Sequence, residues 1–132
     1  MAIIGPLAVK ASYTFLYSYL LNDGTRELTL ADNLRVPYSP LHTASISLRY
    51  EGAPLSAGVE GQYVSDKYTD NANSAATMIH GYFVANADLK YAASDILTLT
   101  MSGKNILNTL YYTQSGYPMP PFFIEVGMQV HL

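Results

Sequence analysis

The chain contains no cysteine and no tryptophan. Without cysteine, a disulfide scaffold and a thiolate metal site are both excluded. Basic residues are scarce, seven Lys and Arg against ten Asp and Glu. A net charge of −3 and a pI near 5.4 leave no basic patch for a nucleic-acid partner. Long apolar runs are missing too: none approaches the roughly 18 uninterrupted residues of a spanning helix. The opening Met1-Ala2-Ile3-Ile4-Gly5-Pro6 has neither a basic n-region nor a small-residue cleavage site, so it does not read as a secretory signal. No Gly-rich phosphate loop or nucleophile elbow occurs. His42, His80 and His131 stand far apart without metal-ligand spacing, so neither metal nor cofactor is expected. At 132 residues the chain is one domain at most.

What is present is a β-like aromatic load, twelve tyrosines and four phenylalanines. The clearest pattern is at the C-terminus. Phe122, Ile124, Val126, Met128, Val130 and Leu132 are all apolar, while the interleaved Phe123, Glu125, Gly127, Gln129 and His131 are mostly polar or small. Strict period-two alternation predicts a strand with one apolar and one wet face. About 9–11 tilted residues is also what one strand needs to cross a bilayer.

The pattern recurs upstream. Met1 to Ile4 reads as the stub of an earlier strand, ended by the turn dipeptide Gly5-Pro6. Apolar sets then follow at Leu7 to Tyr19, Ala44 to Tyr50, Leu55 to Tyr63, Phe83 to Tyr91 and Leu97 to Met101. Lys10, Arg49, Glu60, Asp88, Lys90, Lys104 and Glu125 all fall on the opposite, polar face. Connections alternate between long and about four residues: Asn22 to Leu41, Glu51 to Pro54, Ser65 to Gly81, Ala92 to Asp95, Asn105 to Pro121. Long loops at one end and short turns at the other is the layout of a transmembrane barrel. Within the first long segment, Glu27-Leu28-Thr29-Leu30 reads as a hairpin extension above the sheet. The middle one, Asp66 to Ala76, reads as a floppy, solvated loop. Tyr50 and Tyr91 beside the short turns, and Tyr63 and Phe83 near the long loops, occupy the places of interfacial aromatic girdles.

The expected fold class is therefore all-β: an antiparallel up-and-down meander of about six long strands, an incomplete portion of a transmembrane β-barrel. Closed outer-membrane barrels start at about eight strands. An open sheet in lipid would leave about ten backbone groups unpaired on each border, at several kcal/mol apiece. Such a chain must be the tail of a larger barrel, with Met1 beginning a truncated frame or fragment, or one protomer of an oligomeric barrel. The alternative is a small soluble, lipocalin-like barrel whose apolar face turns inward onto a hydrophobic ligand. The two readings place Leu48, Leu89, Leu99 and Val126 in opposite solvents.

Particular residues go beyond pattern. The runs Val36 to Ser45, Leu48 to Gly52 and Gly61 to Asp70, then Gly81-Tyr82-Phe83, Gly103-Lys104-Asn105-Ile106-Leu107-Asn108 and Tyr111-Tyr112, together resemble the C-terminal barrel of TonB-dependent receptors. The resemblance extends from about Tyr13 to the end of the sequence. It implies an outer-membrane receptor of Gram-negative bacteria, surrounded by outer-membrane lipid. Residues 1–132 would form a C-terminal segment of its barrel, with the plug and N-terminal strands absent. It implies uptake of siderophore-iron, cobalamin or a similar small nutrient chelate, with TonB engaged only through the missing plug. This segment would not transport alone. The sequence departs from the family by ending on Leu132 rather than an aromatic residue. It also carries Thr109-Leu110 where a basic residue is common, and Pro120-Pro121 where Gly-Arg-like residues are common.

The third long loop holds the candidate ligand-binding residues Tyr111, Tyr112, Gln114 and Tyr117. Tyrosines on an outer loop can stack on a flat aromatic ligand such as a catecholate or a macrocycle. The plainer reading is girdle or loop packing. Asp88 and Glu125, with Lys90 and Lys104 as counter-charges, read as lumen salt links rather than an acid–base pair, so no enzyme is expected.

Overall fold

The computed structural model describes residues 2–4, 6–20 and 34–131. A short first strand, β1 (Ala2–Ile4), precedes β2 (Leu7–Phe15), β3 (His42–Glu51), β4 (Leu55–Val64), β5 (Tyr82–Ala92) and β6 (Leu97–Lys104). A small hairpin, β7 (Tyr112–Gln114) with β8 (Tyr117–Pro118), precedes the last strand β9 (Phe123–Val130). The main sheet runs β1-β2-β3-β4-β5-β6-β9, every pair antiparallel and every strand beside its neighbour in the meander. The six long strands and the stub before them are the elements that the alternation predicts.

Register fixes the faces. One row crosses the six long strands as Val9, Leu48, Val59, Ala87, Gly103 and Ile124. The adjacent row is Ala8, Arg49, Gly58, Asp88, Ser102 and Glu125. A slip of one residue in any pair would mix the two sets, and no pair slips. All seven charged strand positions named above fall in the wet rows.

Among the described residues no second layer covers the apolar face; Ile106 reaches over Gly103 only at its long-loop end. Leu48, Leu99 and Val126 are 45%, 41% and 77% exposed, and Leu89 is partly exposed. No large side chain is fully buried among the described residues. A small closed barrel with its apolar side sealed inward does not hold, because the sheet is open and that side is bare. Among the described residues β9 pairs only with β6, and Lys10 to Phe15 of β2 pair only with β3. Two borders of unpaired N–H and C=O groups remain, which hydrocarbon would not tolerate without further strands.

Aromatic rings bound the apolar band. Tyr50 lies opposite Leu7 and Tyr91 opposite Leu55 at the short-turn end, whereas Tyr63 and Phe83 face each other at the long-loop end. From Phe83 to Tyr91 is about 27 Å of strand, or about 20 Å of membrane depth at a typical tilt. Tyr13 and Phe15 extend the outer girdle: the His42 ring stacks on Tyr13 at 6.1 Å and lies 5.4 Å from Phe15. The Tyr13 hydroxyl is 2.8 Å from His42 Nδ1.

Regular pairing in β2 stops at Phe15, short of the Tyr19 that the alternation suggests. Beyond it the chain still pairs with the returning segment, through Leu16 N–H to Leu41 O (2.9 Å), Val36 N–H to Ser18 O (3.3 Å) and Leu20 N–H to Leu34 O (2.8 Å). Pro37 and Pro40 have no N–H to donate, and Tyr38 takes a positive φ of 59°, so this extension cannot continue as a regular ladder. The hairpin expected at Glu27 to Leu30 lies outside the described residues.

Candidate functional site

The candidate site sits at the long-loop end, where three segments converge above the sheet. In the second long loop, Ser65 to Gly81, the backbone closes a bridge through Lys67 N–H to Ile79 O (3.0 Å) and Ile79 N–H to Lys67 O (2.9 Å). A single 3₁₀ turn, Ala75–Thr77, fills its tip. Asp70 organises that tip, accepting from the Ser74 N–H at 3.1 Å and from the Thr77 hydroxyl. These bonds, the Thr77 one first, hold the Asp70 carboxyl below its ordinary value of 3.8. At the base, Asp66 Oδ1 accepts the Gly81 N–H. A Cβ on residue 81 would meet the Val64 carbonyl at 2.9 Å and the Asp66 nitrogen at 3.2 Å, so glycine is required by close backbone approach. The loop is largely exposed or half-buried, as its polarity suggests, but its Asp, Asn and Thr residues also bond to one another and, through Asn73, to the first loop.

The first loop leans on the second. Asn73, at φ 52°, accepts the Arg35 N–H at 2.6 Å and donates to the Arg35 carbonyl at 2.9 Å. The Arg35 guanidinium donates to Ser39 O at 2.8 Å and lies 5.4 Å above the Tyr68 ring centroid. Tyr38 N–H donates to Tyr68 O at 2.7 Å.

The third loop is held by two asparagines. Asn105 is 3% exposed; its N–H donates to Asn86 Oδ1 at 3.0 Å, and its amide donates to Thr109 O (2.9 Å) and Pro120 O (3.1 Å). Its Oδ1 accepts the Thr109 N–H at 2.9 Å. Asn108 accepts the Phe122 N–H at 3.0 Å. Both take positive φ, 48° and 51°, which asparagine tolerates better than most residues.

Between the second and third loops lies an open cleft of about 320 Å³, bordered by Ile79, His80, Gly81, Tyr111, Tyr112 and Gly116 among others. Tyr111 is backed by Tyr82, ring centroids 4.6 Å apart and 40° tilted. Of the four candidate residues, Tyr111 and Tyr112 border this cleft, whereas Gln114 and Tyr117 do not and stand exposed on the β7–β8 hairpin, Tyr117 at 71%. Sequence reasoning missed Tyr82 as the ring behind Tyr111, although its even position on the wet face of β5 placed it there.

Sequence reasoning also missed Lys67. The residue is 9% exposed, and its Nζ donates to Thr113 O at 2.8 Å while lying 6.0 Å from the Tyr38 ring centroid. Burial pushes its pKa below 10.5. Among the described residues, no three His, Asp or Glu side chains gather as a metal site.

On the wet face, Arg49 pairs with Asp88 at 3.2 Å, and Ser102 donates to Glu125 at 3.2 Å. Lys90 and Lys104, the counter-charges expected for Asp88 and Glu125, are not the partners found: Arg49 shares the row of Asp88 two strands away, and Ser102 bonds Glu125.

A family model described as TonB dependent receptor-like, beta-barrel matches residues 5–106. Among proteins of curated function, no sequence matches the chain. Among solved structures, the siderophore receptor PiuA of Acinetobacter baumannii is similar at a TM-score of 0.82 and 19% identity, over 97% of this chain and 20% of that one. The ferric-catecholate import receptor Fiu of E. coli K12, in its closed form, is similar at 0.68 and 24%, over 98% and 19%. FpvA of P. aeruginosa, bound to heterologous pyoverdines, is similar at 0.73 and 16%, over 98% and 18%. The chain thus spans about a fifth of the length of these receptors, and the likeness is one of fold.

Proposed function

Because the chain belongs to the TonB-dependent receptor β-barrel family, we propose that it forms the C-terminal portion of an outer-membrane receptor barrel in a Gram-negative bacterium. Lipid covers the apolar band between the two aromatic girdles, and the wet face lines the lumen. Further strands continue the sheet from its two borders, and a plug belonging to the same receptor fills the lumen and engages TonB. These parts lie outside the 132 residues described by the sequence. The segment does no chemistry of its own and does not transport alone.

The ligand class is a small nutrient chelate, such as a ferric siderophore, captured at the outer loops. Tyr111 and Tyr112 in the cleft, with Gln114 and Tyr117 on the hairpin above it, supply the flat faces and polar tips that suit a catecholate or macrocycle. The similar receptors for siderophores and ferric catecholates favour iron chelates over cobalamin.

The observation that carries this reading is the bare apolar face of an open sheet with all its long loops at one end. The test is made on the full-length protein. It is expected to fractionate with outer membranes, and its loss should abolish TonB-dependent uptake of a labelled ferric chelate. A monodisperse monomer that unfolds cooperatively without detergent would overturn the proposal.

A further inference from the structure

We propose that Lys67 is a positioning residue that latches the third loop to the second and thereby sets the width of the tyrosine cleft. The cleft has two walls. One is the segment around Ile79, which is itself bridged through both backbone bonds to Lys67. The other begins at Tyr111 and Tyr112, directly before Thr113, whose carbonyl accepts from Lys67 Nζ at 2.8 Å. One residue therefore grips both walls, one by its main chain and one by its side chain.

Its setting makes this grip more than a surface contact. Lys67 is almost wholly covered, Ile79 is 6% exposed, and a charge-assisted bond sheltered from water is stronger than an exposed one. The ammonium also faces the Tyr38 ring of the first loop, so all three long loops meet at this side chain. Among the described residues, the hydrogen bond that ties residues 112–118 to another loop is the one from Lys67 Nζ, and Tyr111 just before them is backed by the Tyr82 ring. Asn105 and Asn108 anchor the loop at its base, and Tyr117 at the tip is exposed. Releasing the Nζ bond frees the hairpin while leaving its base in place.

The consequence for ligand capture rests on the function proposed above; the latch itself does not. The experiment is amide hydrogen exchange on the purified full-length protein without added ligand, comparing wild type with Lys67→Met and Lys67→Arg. Met keeps the apolar stem and removes the donors, whereas Arg keeps charge and donors. Expected is exchange through residues 111–119 at least ~10-fold faster in Lys67→Met, matching the loss of one charged hydrogen bond. The amides of Lys67→Met at position 67 and of Ile79 should stay protected, and Lys67→Arg should stay within about threefold of wild type. Unchanged hairpin exchange in Lys67→Met overturns the latch. So does loss of protection at Ile79 and the hairpin together in both variants, which makes position 67 a requirement for folding the loop. Failure of chelate uptake in the wild type would sink the receptor reading and leave this result standing.

Discussion

The guanidinium of Arg49 meets the two carboxylate oxygens of Asp88 at 3.3 and 3.2 Å, passing over the strand that separates them. Gly58 stands between the two in the same row. A Cβ there would lie 2.7 Å from Asp88 Oδ1 and 3.1 Å from Arg49 Nη2. The glycine makes the room that lets charges on β3 and β5 join across β4. Both side chains are about half exposed, 50% and 44%, so solvent screens the pair. A double-mutant cycle with Arg49→Ala and Asp88→Ala in the full-length protein should give a coupling of about 0.2–1 kcal/mol that shrinks with added salt. Gly58→Val should abolish that coupling, whereas a coupling unchanged by Gly58→Val would refute the geometry.

Neighbouring residues of β4 should respond unequally to an introduced arginine. Val59 is 51% exposed on the apolar face and lies opposite Leu48 and Ala87. Glu60, the next residue, faces the wet side. With Val59 against acyl chains, Val59→Arg should cost roughly 2–4 kcal/mol in denaturant unfolding from bilayers. Glu60→Arg should change stability little. Equal costs at both sites would mean that neither face touches lipid.

The strands were legible because a half-wet sheet writes its register into every second residue. Leu7 to Phe15 and Phe123 to Val130 could be assigned faces without knowing their partners. The loops were not legible, because their order depends on groups far away in sequence. Asn73 bonds Arg35, and Lys67 bonds Thr113, across 38 and 46 positions. Nothing in the local composition of Asp66 to Ala76 announces those partners, so its polarity read as solvation. The same distance effect hid Arg49 as the mate of Asp88, since Lys90 is closer in sequence but sits in another row. Of the candidate site, the tyrosine pair at 111 and 112 was visible, but the wall opposite them, Ile79 to Gly81, was not. Besides the even position of Tyr82 on β5, the asparagines of the third loop were an available signal. Asn105 and Asn108 sit where a strand must stop and a loop must turn.

Asn105 should be the most sensitive single side chain of the third loop. Replacing it by Ala removes three hydrogen bonds of its side chain from a buried position and keeps an unfavourable positive φ. The loss should be roughly 2–4 kcal/mol, concentrated in the loop. Asn105→Gly relieves the backbone but not the bonds, so it should fall between wild type and Asn105→Ala. Protease accessibility between Asn105 and Pro121 measures the order of the three.

Acid should loosen the second loop in one direction only. The folded Asp70 carboxyl lies below the ordinary 3.8 because the Thr77 hydroxyl, and then the Ser74 N–H, bond its charged form. A carboxyl depressed by folding stabilises the structure fully above its unfolded pKa, and that contribution is lost as pH falls through the folded value. Amide protection at Ser74 to Thr77 should therefore be flat from neutral pH down to about pH 5. It should then decline below the ordinary aspartate range. Asp70→Asn keeps an acceptor without the charge, so its protection should be lower at neutral pH and insensitive to acid over the same interval. Protection that falls equally with acid in wild type and Asp70→Asn would assign the effect to another group and remove Asp70 as the organiser of the loop tip.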